Sequence, residues 1–235
     1  MKQQIKRTSK LIVLPCLLLA GVTSSMAETA SDRLQHSAVV LKEILSAPDR
    51  SIPRDLLDDA HCLVIVPGMK SAAFLVGAKY GRGFIICRQD TRSGWGAPAA
   101  VRIEGGSFGF QAGASETDVV MLVMNLRGMD KLLQSKFTLG GAAEVAAGPV
   151  GRSSTAQTDA EMTAKILSYS RSRGVFAGIS LQGATLRQDL DENRELYGHR
   201  IANKQIVMKR MKAPAAAAEL IEALKSYSRH ESGAW

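Results

Sequence analysis

The chain has 235 residues, 46% of them hydrophobic, and a formal net charge of +8, which is enough for one large domain with a proper core. Four basic residues and no acid fall in the first 27, so +8 becomes +4 beyond them, and His199–Trp235, with seven Lys/Arg and three Asp/Glu, carries that +4 by itself. Residues 28–198 therefore sum to neutral, which excludes a uniformly basic, nucleic-acid-binding body.

Met1–Ala27 reads as an export signal. Lys2, Lys6, Arg7 and Lys10 form a basic n-region, Leu11–Val22 an apolar h-region, and Ser25-Met26-Ala27 a cleavage site. The apolar run is too short to span a bilayer comfortably. Cys16 lies in mid-h-region behind Pro15, which argues against a lipoprotein. Cleavage after Ala27 leaves residues 28–235 as one domain, periplasmic or secreted.

Glu28–Ser46 predicts a helix, with Leu34, Ala38, Leu41 and Leu45 on one face. Pro53 suits a first helical turn, so Ile52–Ala60 is a second, short helix. Three strands then form an up-down-up meander: Cys62–Val66, stopped by Pro67-Gly68, then Ala72–Ala78, then Phe84–Cys87 after a turn at Gly81/Gly83. This meander sets Cys62 and Cys87 at opposite ends of the sheet, out of disulfide reach. Two buried free thiols are the expectation, although an oxidising compartment allows pairing.

Asp90–Gly96 is a polar turn carrying Trp95, followed by strands at Val101–Ile103, Ser107–Ala114 and Asp118–Met124. Leu126–Ser135 is helical, Ala143–Ala147 a short strand, and Ala164–Ser170 with Val175–Arg187 a hairpin turning near Gly174. Asp191–Tyr197, Lys204–Met211 and Ala215–Ser228 are helical, the last two parted by Pro214. Nineteen of the 21 glycines lie between Gly68 and Gly198. Glycine in strands marks close backbone approach or sharp bending. The fold class is α+β: a curved, mostly antiparallel, barrel-like sheet with helices at both ends of the chain.

No catalytic constellation or metal-ligand spacing emerges. The glycine runs at Gly77–Gly83 and Gly105–Gly109 match no dinucleotide fingerprint. Gly178-Ile-Ser180-Leu-Gln-Gly183 is one residue too long for a nucleophile elbow. His36, His61, His199 and His230 have no metal-site spacing, and Asp58-Asp59 are neighbours in sequence only. The chain is read as a non-enzyme without cofactor.

Candidate anion- and lipid-binding residues are basic. Gly148-Pro-Val-Gly151-Arg152 is either an anion cradle or a rigid turn. Lys79, Arg82, Arg88, Arg171 and Arg173 are either a binding face or an ordinary solvated one; Arg171 and Arg173 fall on the same side of a strand. Arg200, Lys204, Lys209, Arg210 and Lys212, with Ile206, Val207, Met208 and Met211, form either a membrane-surface helix or a core-packed helix with a charged outer face. Glu28–Ser46 carries the same two readings. Trp95, between Gly94 and Gly96, either enters a bilayer interface or folds back over the sheet end.

Several phrases carry a resemblance. They are Ile52-Pro-Arg-Asp-Leu-Leu, Val64-Ile-Val-Pro-Gly, Lys79-Tyr-Gly-Arg-Gly, Gly94-Trp-Gly-Ala-Pro, Gly106-Ser-Phe-Gly-Phe-Gln, Ala147-Gly-Pro-Val-Gly-Arg, Ser168-Tyr-Ser-Arg-Ser-Arg-Gly and Phe176-Ala-Gly-Ile-Ser-Leu-Gln-Gly. In this order they resemble the SYLF family of lipid-binding domains. The resemblance implies membrane-lipid binding, in eukaryotes notably of phosphoinositides, assisted by an amphipathic N-terminal helix. Some eukaryotic relatives also bind actin. An export signal removes this chain from actin and phosphoinositides. The expected partner is therefore an anionic phospholipid of the bacterial cell envelope, bound by a monomer through basic and amphipathic surfaces. A protein-interaction or scaffold module of the envelope is the alternative.

Overall fold

The computed structural model describes residues 28–46, 52–89, 94–140, 145–149, 165–172, 175–178, 181 and 183–227. The export signal expected at 1–27 lies outside them. The helices are α1 (Ala30–Ser46), α2 (Arg54–Asp59), α3 (Leu126–Leu132), α4 (Leu190–Tyr197), α5 (Asn203–Met208) and α6 (Ala218–Tyr227). The strands are β1 (Cys62–Cys87), β2 (Ala99–Val123), β3 (Lys136–Thr138), β4 (Val145–Ala147), β5 (Ile166–Ser172), β6 (Val175–Gly178) and β7 (Thr185–Gln188). Helices occupy both ends of the chain. The strands form one mixed, mostly antiparallel sheet, with only β4 and β5 paired parallel.

The expected meander is instead one long ribbon. Strand β1 pairs antiparallel with β2 along nearly its whole length, from Cys62↔Val123 to Ile85↔Ala99. Pro67-Gly68 does not stop the strand. It makes a bulge, with Gly68 at φ 56° and its N–H donated to Asp118 Oδ1 at 2.9 Å. A second register shift lies between Ala73 and Leu75. Bulges bend the strand that carries them. An extended strand of this length would reach about 80 Å, yet the Cα atoms of Cys62 and Cys87 are 4.0 Å apart. The ribbon doubles back until its ends meet, and the sheet curls into a half-barrel.

This closure corrects two expectations. There is no turn at Gly81/Gly83; both lie inside β1, against its own first residues. A Cβ on Gly83 would sit 1.9 Å from the Ile65 carbonyl oxygen. Cys62 and Cys87 are not free thiols at opposite ends of a sheet; they are joined as a disulfide. The cross-link spans 25 positions. Loop-closure entropy for a loop of that size contributes roughly 3.5 kcal/mol. The Arg88 N–H also donates to the His61 carbonyl, at 2.9 Å, beside the disulfide.

Both faces of the ribbon are buried near the ends of β1, as alternation there shows, while Lys70, Ala72, Ala78 and Tyr80 in its middle are exposed. Leu63, Ile65, Phe84 and Ile86 face a core built with α1, α2 and α6. Cys62, Val64, Val66 and Ile85 face a second core with Leu132, Leu133, Phe137, Leu186 and Ile206. On the far side of β2, Val101–Glu104 pair with β7 and Asp118–Val123 with β5. The hairpin expected to run on to Arg187 therefore divides. Residues 175–178 pair with β5, while 185–188 cross to lie between β2 and β3.

Helix α1 is a core helix. Leu34, Ala38, Leu41 and Ile44 are fully or almost fully buried on it, which settles its two readings in favour of packing. A buried ion cluster fastens it. Arg33 Nη1 pairs with Glu192 Oε1 of α4, and Arg82 Nη2 of β1 lies 2.9 Å from Asp189 Oδ2. Asp189 also caps α4, accepting from the Glu192 N–H at 3.2 Å. Burial pushes the Glu192 carboxyl above the usual range, against the pull of Arg33 and Arg82.

Two outcomes test this architecture. In Gly83→Ala the new methyl meets backbone that cannot yield, and about 3 kcal/mol or more should be lost on denaturant unfolding. Gly113→Ala, with nothing within 4 Å of the added Cβ, should change stability by no more than ~0.5 kcal/mol. Arg33→Met strands a buried carboxylate, so destabilisation at pH 7 should reach roughly 3–5 kcal/mol. A carboxyl whose folded pKa is raised holds its proton more tightly in the native state. Its contribution is therefore favourable at low pH and is lost as pH rises through the folded value. The Arg33→Met deficit should shrink from pH 7 to pH 5, and a deficit independent of pH would contradict the assignment to Glu192.

Candidate functional site

Two buried amides place the C-terminal helices on the sheet. Asn193 of α4 accepts the Ala100 N–H at 2.7 Å, and its amide donates to the Ile201 carbonyl at 2.8 Å and to Asn203 Oδ1 at 2.7 Å. Asn203 donates in turn to the Ala100 carbonyl at 2.9 Å. Both are fully buried, where unpaired polar groups would cost 1–3 kcal/mol each. This clamp starts α5 at Asn203. The helix stops at Met208, short of the expected Met211, because Arg210 turns to φ 49°. The chain end is held as Arg210 Nη2 donates to the Gln89 carbonyl at 3.2 Å.

The ends of α2, α3 and α5 converge around a cleft of about 570 Å³. Its polar end holds Asp58, Asp59, His61 and Arg88, and Arg210 stands at its edge. Its apolar wall is Leu126, Met129, Val207 and Met208. Leu126 and Met208 are 58% and 46% exposed, two of the four exposed large hydrophobic residues among the described residues. The Cys62–Cys87 disulfide underlies the cleft, since His61 and Arg88 are its chain neighbours. Among the described residues no group of three or more His, Cys, Asp or Glu is placed to hold a metal ion.

The structure sorts the expected basic residues by what they already touch. Arg82 belongs to the buried cluster. Burial opposes its charge, but Asp189 and Glu192 outweigh burial and raise its pKa. Arg171 donates to Asp118 Oδ2 from Nε at 3.1 Å and Nη2 at 2.8 Å, and its Nη1 pairs with Glu43. Arg88 caps the end of α2, donating to the Ala60 carbonyl at 3.0 Å and the Leu57 carbonyl at 3.2 Å. Lys79 is half-buried on β1 opposite Gly105. Arg152 and Arg173 lie outside the residues whose side chains are described. Lys204, Lys209, Arg210 and Lys212 are all exposed, close together on and after α5.

Two sequence signals have packing causes. Gly148 leaves room for Tyr169, whose ring carbon would lie 2.1 Å from an added Cβ, and its N–H donates to the Ser168 carbonyl at 3.0 Å. Trp95 is only 6% exposed and belongs to the core that α1, α2 and α6 cover. Arg88 stacks 4.4 Å from its ring centroid. Burial lowers the Arg88 pKa from its ordinary value, against the pull of Asp58 and Asp59. Of its two readings Trp95 therefore takes the packed one, folded back over the sheet end, and a ring that met a bilayer would first have to leave this packing.

The sequence marked Val207 and Met208 as apolar residues of a basic helix but gave no signal that Leu126 and Met129 join them. Leu126 and Met208 are 82 positions apart and sit at the ends of short helices that only the sheet brings together. Replacing Trp95 by Ala should cost about 3–5 kcal/mol of stability. In a Trp235→Phe background, Trp95 emission should be blue-shifted in buffer and unmoved by vesicles. Red emission that shifts on adding vesicles would show that the ring leaves its pocket.

A family model described as "Ysc84: Las17-binding protein actin regulator" matches residues 104–227. The chain is 30% identical to Protein YSC84 of Saccharomyces cerevisiae over 223 residues, covering 90% of this chain and 47% of that protein. It is 34% identical over 200 residues to SH3 domain-containing YSC84-like protein 1 of Bos taurus and of Homo sapiens, covering 83% of this chain and 58% of each relative. It thus spans about half the length of the curated relatives it matches. On the family match and these identities together, the chain belongs to the Ysc84 family, whose domain is the SYLF domain.

Proposed function

We propose that this protein is a non-enzymatic phospholipid-binding protein of the cell envelope. It is exported by Met1–Ala27 and docks peripherally on an anionic membrane. One observation carries the reading. Arg82, Arg88 and Arg171 are taken up by internal acids and carbonyls, whereas Lys204, Lys209 and Lys212 stay exposed near the exposed apolar residue Met208. Cations next to exposed apolar side chains suit the boundary between headgroups and acyl chains. Each is worth at most ~1 kcal/mol near an anionic surface, so three give roughly 3 kcal/mol, enough for reversible docking. Among the described residues no helix is long and apolar enough to cross a membrane.

A second reading rests on the family description, which names a Las17-binding protein and actin regulator. On that reading the same surface engages an envelope protein. Sedimentation with vesicles separates the two. Binding to anionic vesicles should exceed binding to zwitterionic ones and should weaken as salt shortens the Debye length from ~10 Å at 0.1 M to ~3 Å at 1 M. Changing Lys209, Arg210 and Lys212 to Glu should weaken it by about a hundredfold or more with the melting temperature nearly unchanged. Undiminished sedimentation of the triple variant removes this segment from the mechanism. No sedimentation of the wild type leaves the protein-interaction reading.

A further inference from the structure

The cleft between α2, α3 and α5 differs in character from the docking surface beside it. Its apolar wall is of the kind that lines ligand pockets, and its volume is in their range. Its polar end carries both signs of charge. Asp59 is exposed, Asp58 is half-buried, and both face the positive field of Arg88. Arg88 is fixed by Nε and Nη2 to two carbonyls and by its plane to Trp95. The guanidinium is therefore rigid, and rigidity lowers the cost of binding.

A purely anionic headgroup would meet the exposed carboxylate of Asp59 beside Arg88. A headgroup with a phosphate and a nearby ammonium satisfies both signs. We infer that the cleft holds a single zwitterionic phospholipid of the ammonium-phosphate class, with its phosphate on Arg88 and His61, its ammonium at Asp59, and an acyl chain along Leu126, Met129 and Met208. The inference deepens the lipid-binding reading and rests on it for the class of ligand. The exposed lysines bring the protein to an anionic surface, and the cleft selects a zwitterionic lipid within it.

The test is calorimetric titration of the disulfide-intact mature chain with dihexanoyl phospholipids kept below their critical micelle concentrations. The phosphoethanolamine lipid should bind about tenfold or more tightly than the phosphoglycerol lipid, the difference made by one charge-assisted contact. Asp59→Asn, at an exposed position, should erase that preference without lowering the melting temperature. Leu126→Glu and Met208→Glu should each weaken binding of both lipids by at least tenfold. Equal or tighter binding of phosphoglycerol, an unchanged preference in Asp59→Asn, or no binding of either monomer would each overturn the proposal. Vesicle sedimentation with the Lys209, Arg210 and Lys212 variant is a separate readout. Docking that persists while monomers fail sinks the cleft alone, and loss of docking with monomer binding intact sinks only the surface.

Discussion

Everything in this fold depends on one close contact, the place where β1 runs back against its own beginning. Gly83 lies so near the Ile65 carbonyl that no side chain fits between them. The disulfide joins Cys62 to Cys87 just beyond. This closure turns a long two-stranded ribbon into a half-barrel whose joined ends are buried on both faces. Each core then draws on both halves of the ribbon. Leu63 and Phe84 share one, and Val64 and Ile85 share the other. An unclosed ribbon would expose both stripes to water and could not offset its ordering entropy.

The closure also places the cleft. Because the ends of β1 meet, His61 and Arg88 become neighbours, and Arg88 reaches both the carbonyls ending α2 and the face of Trp95. Helix α5 arrives from the far end of the chain, held by the Asn193–Asn203–Ala100 hydrogen bonds. A buried amide network of this kind is worth keeping only when every member is satisfied. Here it fixes where α5 begins, and so where Met208 and the lysines after it emerge.

The charge distribution follows the same logic. Arginines within the sheet are matched by acids or carbonyls: Arg82 by Asp189, Arg171 by Asp118 and Glu43, Arg88 by Ala60 and Leu57. They hold the protein together. The lysines near α5 remain in water, and these are the charges on which the proposed docking rests. One sequence pattern, basic residues among apolar ones, therefore served two physical ends. Burial and partners tell them apart.

Local physics made much of the fold legible. The spacing of Leu34, Ala38 and Leu41 marked α1, Pro53 marked α2, and the run of glycines among β-branched residues marked a sheet bent tightly on itself. Family phrases from Ile52 onward identified the domain. The pairing of Cys62 with Cys87 was not legible, because it depends on the ribbon folding back, and Pro67-Gly68 reads alike as a strand end or a bulge. Trp95 was ambiguous for a similar reason: its polar flanks are local, while its core comes from helices near both ends of the chain. The cleft was hidden altogether. Asp59, Arg88, Leu126 and Met208 share no period and no motif, and only long-range pairing, which the sequence does not encode locally, sets them around one space. Composition and periodicity determined which residues are buried and in what elements; the closure of the ribbon decided which of them meet.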